Sequence, residues 1–293
     1  MIVKDEEHRL ARCLASVAGV VDEMVVVDTG STDGTLDIAR AWGAKVARFE
    51  FCPIDFAAAR NASLERATSP WVLVLDADET LAWESREPLQ AALRAGRNAA
   101  YILNRRNLAP DGTAGVVEQA VRLFPNHPRT RYRGRVHETV NASLLDGGGR
   151  LCRSAIFIDH HLEAEARLRA KSRLYLALLK EELAEAPDDA ERLTFLAAEY
   201  HKLGLLDDAA LTAETIARLE PLDPMAHVRV GLYRLVHLRQ VRRAAMAFER
   251  ALELRSDCSE ALSALQCISE SDPQRRTGTN RFPSERALAA VGA

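Results

Sequence analysis

Two aspartates two residues apart, Asp76 and Asp78, end the apolar run Trp71-Val72-Leu73-Val74-Leu75. Carboxylates so spaced suit a hard divalent cation, which takes oxygen ligands and commonly shares them with phosphate. On an extended backbone residues i and i+2 face one side, so both acids are expected to point the same way. The five bulky residues before them predict a strand buried on both faces, the habit of a central parallel sheet. In open α/β sheets the ligand crevice lies outside the carboxyl ends of the strands, where these acids fall. For an isolated D-x-D, a solvated acidic turn is the alternative.

Other stretches carry residues able to join such a site. Lys4-Asp5-Glu6-Glu7 closes a first strand, and Val26-Val27-Asp28-Thr29-Gly30-Ser31-Thr32-Asp33-Gly34-Thr35 closes a second and enters a helix. Gly30 and Gly34 allow close backbone approach, and Asp33 suits a helix cap. Phe56-Ala57-Ala58-Ala59-Arg60-Asn61 lies in the helix before the D-x-D strand. Gly134-Arg135-Val136-His137-Glu138 and Asp159-His160-His161 add carboxylate and imidazole. Arg129, Arg131, Arg133 and Arg135 alternate; if extended, all four share one face, either an anion-attracting patch or a solvated basic edge.

The elements that must hold these groups follow two rhythms. Strands are expected over 1–4, 23–28, 45–49 and 71–75, with helices over 6–17, 33–42 and 55–67 between them. That alternation predicts a mostly parallel sheet with helices on both faces. Beyond residue 78 it loosens to α+β: a helix over 84–95 and strands over 99–104, 116–124 and 151–158. Residues 163–270 read as helix throughout and contain an internal repeat. Leu196, Ala197, Tyr200, Gly204, Ala209, Ile216, Leu219 and Pro221 fall where a tetratricopeptide unit keeps its packing residues. Ala244, Phe248, Ala251 and Leu254 repeat Ala209, Ala213, Ile216 and Leu219 at an offset of 35, with Arg239 replacing Gly204 and Ser256 replacing the proline. A capping helix over 259–268 and a disordered tail over 271–293 complete the expectation.

A net charge of −3 and pI near 6.3 give no electrostatic case for nucleic acid. From the acidic start no secretory signal is expected, and no apolar run approaches the ~20 residues that span a bilayer. Five scattered cysteines without a C-x-x-C pair suit reduced thiols, so a cytoplasmic setting is expected.

Taken together, the Lys4, Asp28–Thr35, Arg60-Asn61 and Asp76-Ala77-Asp78 motifs closely resemble the nucleotide-sugar domain of family 2 inverting glycosyltransferases, the GT-A fold. The subgroup most similar carries tetratricopeptide repeats behind the catalytic domain. The resemblance implies a GT-A domain over 1–162, a helical repeat domain over 163–270, and transfer from a nucleotide-diphosphate donor, UDP-like, to a protein, peptide or glycan. It implies Lys4, Asp28, Arg60 and Asp76 on the donor nucleotide, with Arg60 on diphosphate through its planar fork. Asp78, with Asp76 directly or through water, would hold Mg2+ or Mn2+; His160, with His161 as the alternate, would close that site. Gly134–Glu138 resembles a short motif of the same subgroup, which makes Glu138 the candidate base and His137 its reserve. The rival for Glu138 and His137 is a buried structural pair. Asp5 replaces the usual Asn, and family members usually carry residues ahead of Met-Ile-Val-Lys, so a short first strand is expected. Were that strand to impair catalysis, the chain would instead be a tetratricopeptide scaffold for protein–protein interaction.

Overall fold

The computed structural model describes residues 1–109, 111–162 and 165–270. The tail 271–293, expected to be disordered, lies outside the described residues. Two compact units divide the chain, Met1–Glu163 and Ala164–Ala293.

In the first unit β1 (Ile2–Val3), β2 (Val25–Asp28) and β3 (Lys45–Arg48) form a parallel sheet in that order. Helices α1 (Leu10–Val17) and α2 (Thr35–Ala41) make the crossovers. Helix α1 buries Leu10, Cys13, Leu14 and Val17, the i, i+3, i+4, i+7 stripe of an amphipathic helix. Helix α3 (Phe56–Leu64) starts at Asp55, whose carboxylate accepts the Ala58 N–H at 2.8 Å.

A second sheet follows, built from β4 (Trp71–Leu73), β5 (Glu79–Leu81), β6 (Ala99–Leu108), β7 (Ala114–Pro125) and β8 (Arg150–His161), with α4 (Arg86–Arg94) and α5 (Asn141–Asp146) in its connections. Its order is β4-β7-β6-β8-β5, antiparallel except between β6 and β8. Parallel pairing therefore holds among the first three strands and gives way to a mixed sheet. The 71–75 run is not central: β4 ends at Leu73 and is an edge strand whose ladder comes from β7, with Leu73 opposite Leu123. Its residues are half-buried rather than buried on both faces. A cavity of about 300 Å³ lies there, lined by Val17, Met24, Val25, Val72 and Leu73 among others. The Met1 amino group donates to the Val25 carbonyl at 2.8 Å; burial and then the Arg60 charge pull its pKa down to about 6.

Neighbouring residues of the second sheet feed opposite cores, as a pleated strand requires. Leu75 and Leu123 join Cys13, Leu103 and Ile158, whereas Val74 and Phe124 join Ala57, Leu64 and Tyr132.

The second unit contains α6 (Glu165–Glu185), α7 (Ala190–Lys202), α8 (Leu206–Leu219), α9 (Pro224–Leu232), a π turn (Tyr233–His237), α10 (Val241–Leu254) and α11 (Ser259–Glu270). Asp189 and Asp223 cap α7 and α9. The offset of 35 is visible in packing: Ala209, Ala213 and Ile216 are buried in one pair, Ala244, Phe248 and Ala251 in the next. Gly204 and Arg239 turn the chain at φ +76° and +50°, so the arginine occupies the left-handed position its glycine counterpart takes freely.

Candidate active site

Arg60 is the centre of the site. Helix α3 delivers it into a pocket where its side chain is 10% exposed. Its Nε donates to Glu138 Oε1, and its Nη2 to Asp76 Oδ1 at 2.8 Å. The Tyr132 ring centroid lies 5.6 Å from Cζ. Burial disfavours the charge on Arg60, but the Asp76 and Glu138 carboxylates outweigh it and hold the pKa well above the ordinary guanidinium value. The third nitrogen, Nη1, is buried with no hydrogen-bond partner among the described residues.

Glu138 reaches Arg60 because the 134–138 loop is tied to the start of α3. The Phe56 N–H donates to the Arg135 carbonyl at 2.9 Å, and Arg135 Nε to the Ile54 carbonyl at 3.0 Å. Gly134 at φ +93° and His137 at φ +52° make the bend. The alternating arginines do not form one face, because this segment is a loop rather than a strand. Arg131 approaches Glu65, Arg133 approaches Asp146, and Arg135 turns to Ile54.

Asp76 and Asp78 meet different partners. Residues 76–78 form a turn closed by the Glu79 N–H on the Asp76 carbonyl at 3.0 Å, so the extended spacing rule does not apply. Asp76 faces two arginines, with Oδ2 accepting from Arg122 Nη2 at 3.0 Å. Asp78 has a different contact, its Oδ2 lying 3.4 Å from His160 Nε2.

The two histidines, adjacent on β8, separate as strand neighbours do. His160 Nδ1 lies 2.7 Å from Asn107 Oδ1, a contact that orients the ring with Nε2 toward Asp78. His161 Nε2 instead meets Thr80 Oγ1 at 3.0 Å; burial, then the Arg12 charge, lowers its pKa. His160 is thus the partner of Asp78.

An imidazole nitrogen and a carboxylate oxygen 3.4 Å apart are ligand types that fit a divalent cation. Among the described residues no group of three or more His, Cys, Asp or Glu converges, so diphosphate and water oxygens would complete its sphere. Asp76, committed to Arg60 and Arg122, is outside that pair.

Asp28 is 1% exposed and does not present its carboxylate outward. Its oxygens accept the Ser31 N–H at 3.0 Å and the Gly30 N–H at 3.3 Å, shaping the turn. Lys4 is exposed at the end of β1. Asp33 is not the cap of α2, which is Gly34; it lies one residue ahead, and its carboxylate accepts the Thr35 N–H at 3.0 Å. The two loops after β1 and β2 are cross-linked. Asp5 Oδ1 accepts the Thr32 N–H at 2.8 Å, Glu7 Oε2 the Gly34 N–H at 2.8 Å, and Thr35 Oγ1 the Glu6 N–H at 2.7 Å.

Two site residues escaped the sequence reading, Glu79 and Arg122. Glu79 is fully buried; Arg122 sits on β7 one residue from Leu123, which pairs with β4. The available signal was an arginine inside the apolar stretch Ala120-Val121-Arg122-Leu123-Phe124.

The family model described as Glycosyl transferase family 2 matches residues 1–160. The chain belongs to that family. A TPR repeat-containing protein of Synechococcus elongatus is 44% identical over 147 residues, 50% of this chain and 35% of that protein. The SPbeta prophage-derived glycosyltransferase SunS of Bacillus subtilis is 27% identical over 213 residues, 71% of this chain and 50% of that one. The chain thus spans a third to a half of these curated relatives' length. Among solved structures, S. aureus TarS 1–349 in complex with UDP-GlcNAc aligns at TM-score 0.47 and 14% identity, covering 85% of this chain and 90% of that one. The first TPR domain of human RPAP3 aligns at TM-score 0.30 and 21% identity, over 43% of this chain and 94% of that domain. The family 2 chain joins a mixed α/β unit to an all-helical unit whose packing repeats at the 35-residue offset of tetratricopeptide-like helices. No helix among the described residues is long and apolar enough to cross a membrane.

Proposed function

We propose that this chain is a metal-assisted, inverting glycosyltransferase that moves a sugar from a nucleotide-diphosphate donor of the UDP type to a protein, peptide or glycan. The observation that carries the reading is the meeting of Arg60, Asp76 and Glu138 beside the facing pair Asp78 and His160. Arg60 would turn its guanidinium plane to diphosphate oxygens, with the unpartnered Nη1 as the first donor available. Glu138, released from Arg60 as the anion arrives, would take the proton of the acceptor nucleophile. In one displacement the acceptor-to-anomeric-carbon bond forms, the bond from that carbon to phosphate oxygen breaks, and the nucleoside diphosphate leaves with the electron pair. His137, next along the loop, is the reserve base. Asp78 and His160 would hold Mg2+ or Mn2+, which supplies neutralising charge at the leaving diphosphate. Asp28 supports the reading indirectly, by shaping a turn whose backbone can approach the nucleotide; Lys4 would meet its phosphates from the β1 end. The repeats would present the acceptor, since stacked helix pairs make concave surfaces. The free cysteines suit a cytosolic enzyme.

The test is donor hydrolysis with Mn2+ against EDTA. Metal-dependent turnover supports the reading, and equal rates in both remove the metal from it. A second reading, a repeat scaffold with a silent transferase unit, is favoured by the mutual pairing of Arg60 and Glu138, which occupies both groups. Calorimetric titration with UDP and Mn2+ separates the two, because a silent pocket gives no metal-linked heat.

A further inference from the structure

Beneath the Arg60 pocket lies a chain of alternating charges that the transfer chemistry does not itself require. Arg122 Nη2 is shared between Asp76 Oδ2 at 3.0 Å and Glu79 Oε1 at 3.1 Å. Glu79 Oε2 accepts the Asp76 backbone N–H at 2.9 Å. Asp76 is therefore gripped at its amide by Glu79 and at one carboxylate oxygen by Arg122, leaving Oδ1 for Arg60.

We propose that Arg122 and Glu79 are positioning residues that set the orientation of Asp76 and, through it, the guanidinium plane of Arg60. This rests on the reading of Arg60 as the diphosphate ligand. An aspartate carboxylate turns easily about its last torsion, whose preferences are broad. With one oxygen on Arg122 and the amide on Glu79, that rotation is stopped, and Oδ1 has one direction left. Arg60 is then held at Nη2 as well as at Nε, so its plane is fixed by two contacts. Without Arg122 the Oδ2 restraint on the Asp76 carboxylate is lost, and the Nη2 contact of Arg60 is held less firmly. Burying Glu79 completely is expensive, and an apolar pair of similar volume would serve the core at least as well. Position, rather than stability, is what the charged pair supplies here.

The test compares the full chain with Arg122→Lys, Arg122→Met and the double variant Glu79→Met/Arg122→Met. Two readouts are taken: kcat and KM for hydrolysis of a UDP-hexose, and the Arg60 Nε–H signal in 15N-arginine spectra, assigned with Arg60→Lys. The double variant removes both partners, leaves Arg105 its second carboxylate, Glu118, and is expected to melt near wild type. Its kcat should nevertheless fall about 10²-fold, the scale of an ångström's misplacement, with KM little changed. Its Arg60 signal should shift and exchange faster with solvent. Arg122→Lys keeps the charge but loses the fork, and should fall between. A folded double variant with wild-type kcat, or with its Arg60 signal unmoved, overturns the proposal. So does wild-type kcat in Arg122→Lys, which stays informative if the methionine variants do not fold. A wild-type chain that hydrolyses no donor defeats the glycosyltransferase reading instead, and the Arg60 signal still decides the positioning role.

Discussion

Arg60 and Glu138, 78 residues apart in sequence, form a buried ion pair in which each side chain is only 10% exposed. The pair joins the candidate diphosphate ligand to the candidate base. Removing Arg60 takes the cation from Glu138 and leaves Asp76 with Arg122 alone, and breaking a buried pair costs about 3–5 kcal/mol. Arg60→Ala is expected to lower the unfolding free energy from urea melts by that amount and to abolish donor turnover. Glu138→Gln keeps an oxygen for Arg60 but loses the base. Its turnover should fall about 10²-fold or more while the fold persists by circular dichroism.

His160 and His161 offer a sharper contrast, because only His160 faces Asp78. His160→Gln should weaken Mn2+-dependent UDP binding by about 10–100-fold, the range for perturbed metal sites. His161→Gln should leave that binding within about twofold in calorimetry, since its imidazole serves Thr80. The reverse ranking would move the metal to the other face of β8.

Glu23 contributes to acid stability in the first unit. Burial opposes its charge, but Lys45 Nζ and the Ser69 and Thr68 amides outweigh it and bring its pKa down to about 2. The folded state then binds fewer protons than the unfolded state between that value and the ordinary 4.5. Stability from this group is complete above the upper figure and is lost as pH falls toward the lower one. Glu23→Gln should cost about 1–3 kcal/mol at pH 7 and flatten that acid limb, checked by urea melts at neutral and acid pH.

The repeat turns give a paired test. Gly204→Ala places a side chain at φ +76° and should destabilise by about 1 kcal/mol, although nothing lies within 4 Å of the added Cβ. Arg239→Gly relieves the same strain at φ +50° and should gain about 0.5 kcal/mol after the entropy of a flexible unfolded glycine.

Much of this architecture is readable from periodicity. The α1 stripe and the offset of 35 between Ala209 and Ala244 both appear as packed faces, because helical spacing dictates burial directly. The 71–75 run misled because apolarity records burial without naming the neighbour: β4 is covered on one side by β7, not by two parallel strands. Asp76 and Asp78 misled through the turn, whose dihedrals no two-residue spacing encodes. Asp28 was placed at the right strand end, yet a carboxylate that folds back on its own turn looks the same in a sequence as one that faces a ligand. Arg60 with Glu138 was legible only as two separate candidates; their contact is a long-range fact that the Phe56–Arg135 backbone bond creates.

The stitching between 5–7 and 31–35 makes the mouth of the parallel sheet a single rigid lip. Asp5 holds φ +53° there, and its carboxylate takes both the amide and hydroxyl of Thr32. A substitution in either segment is therefore transmitted to the other, and neither half can be regrafted onto a related scaffold without its counterpart.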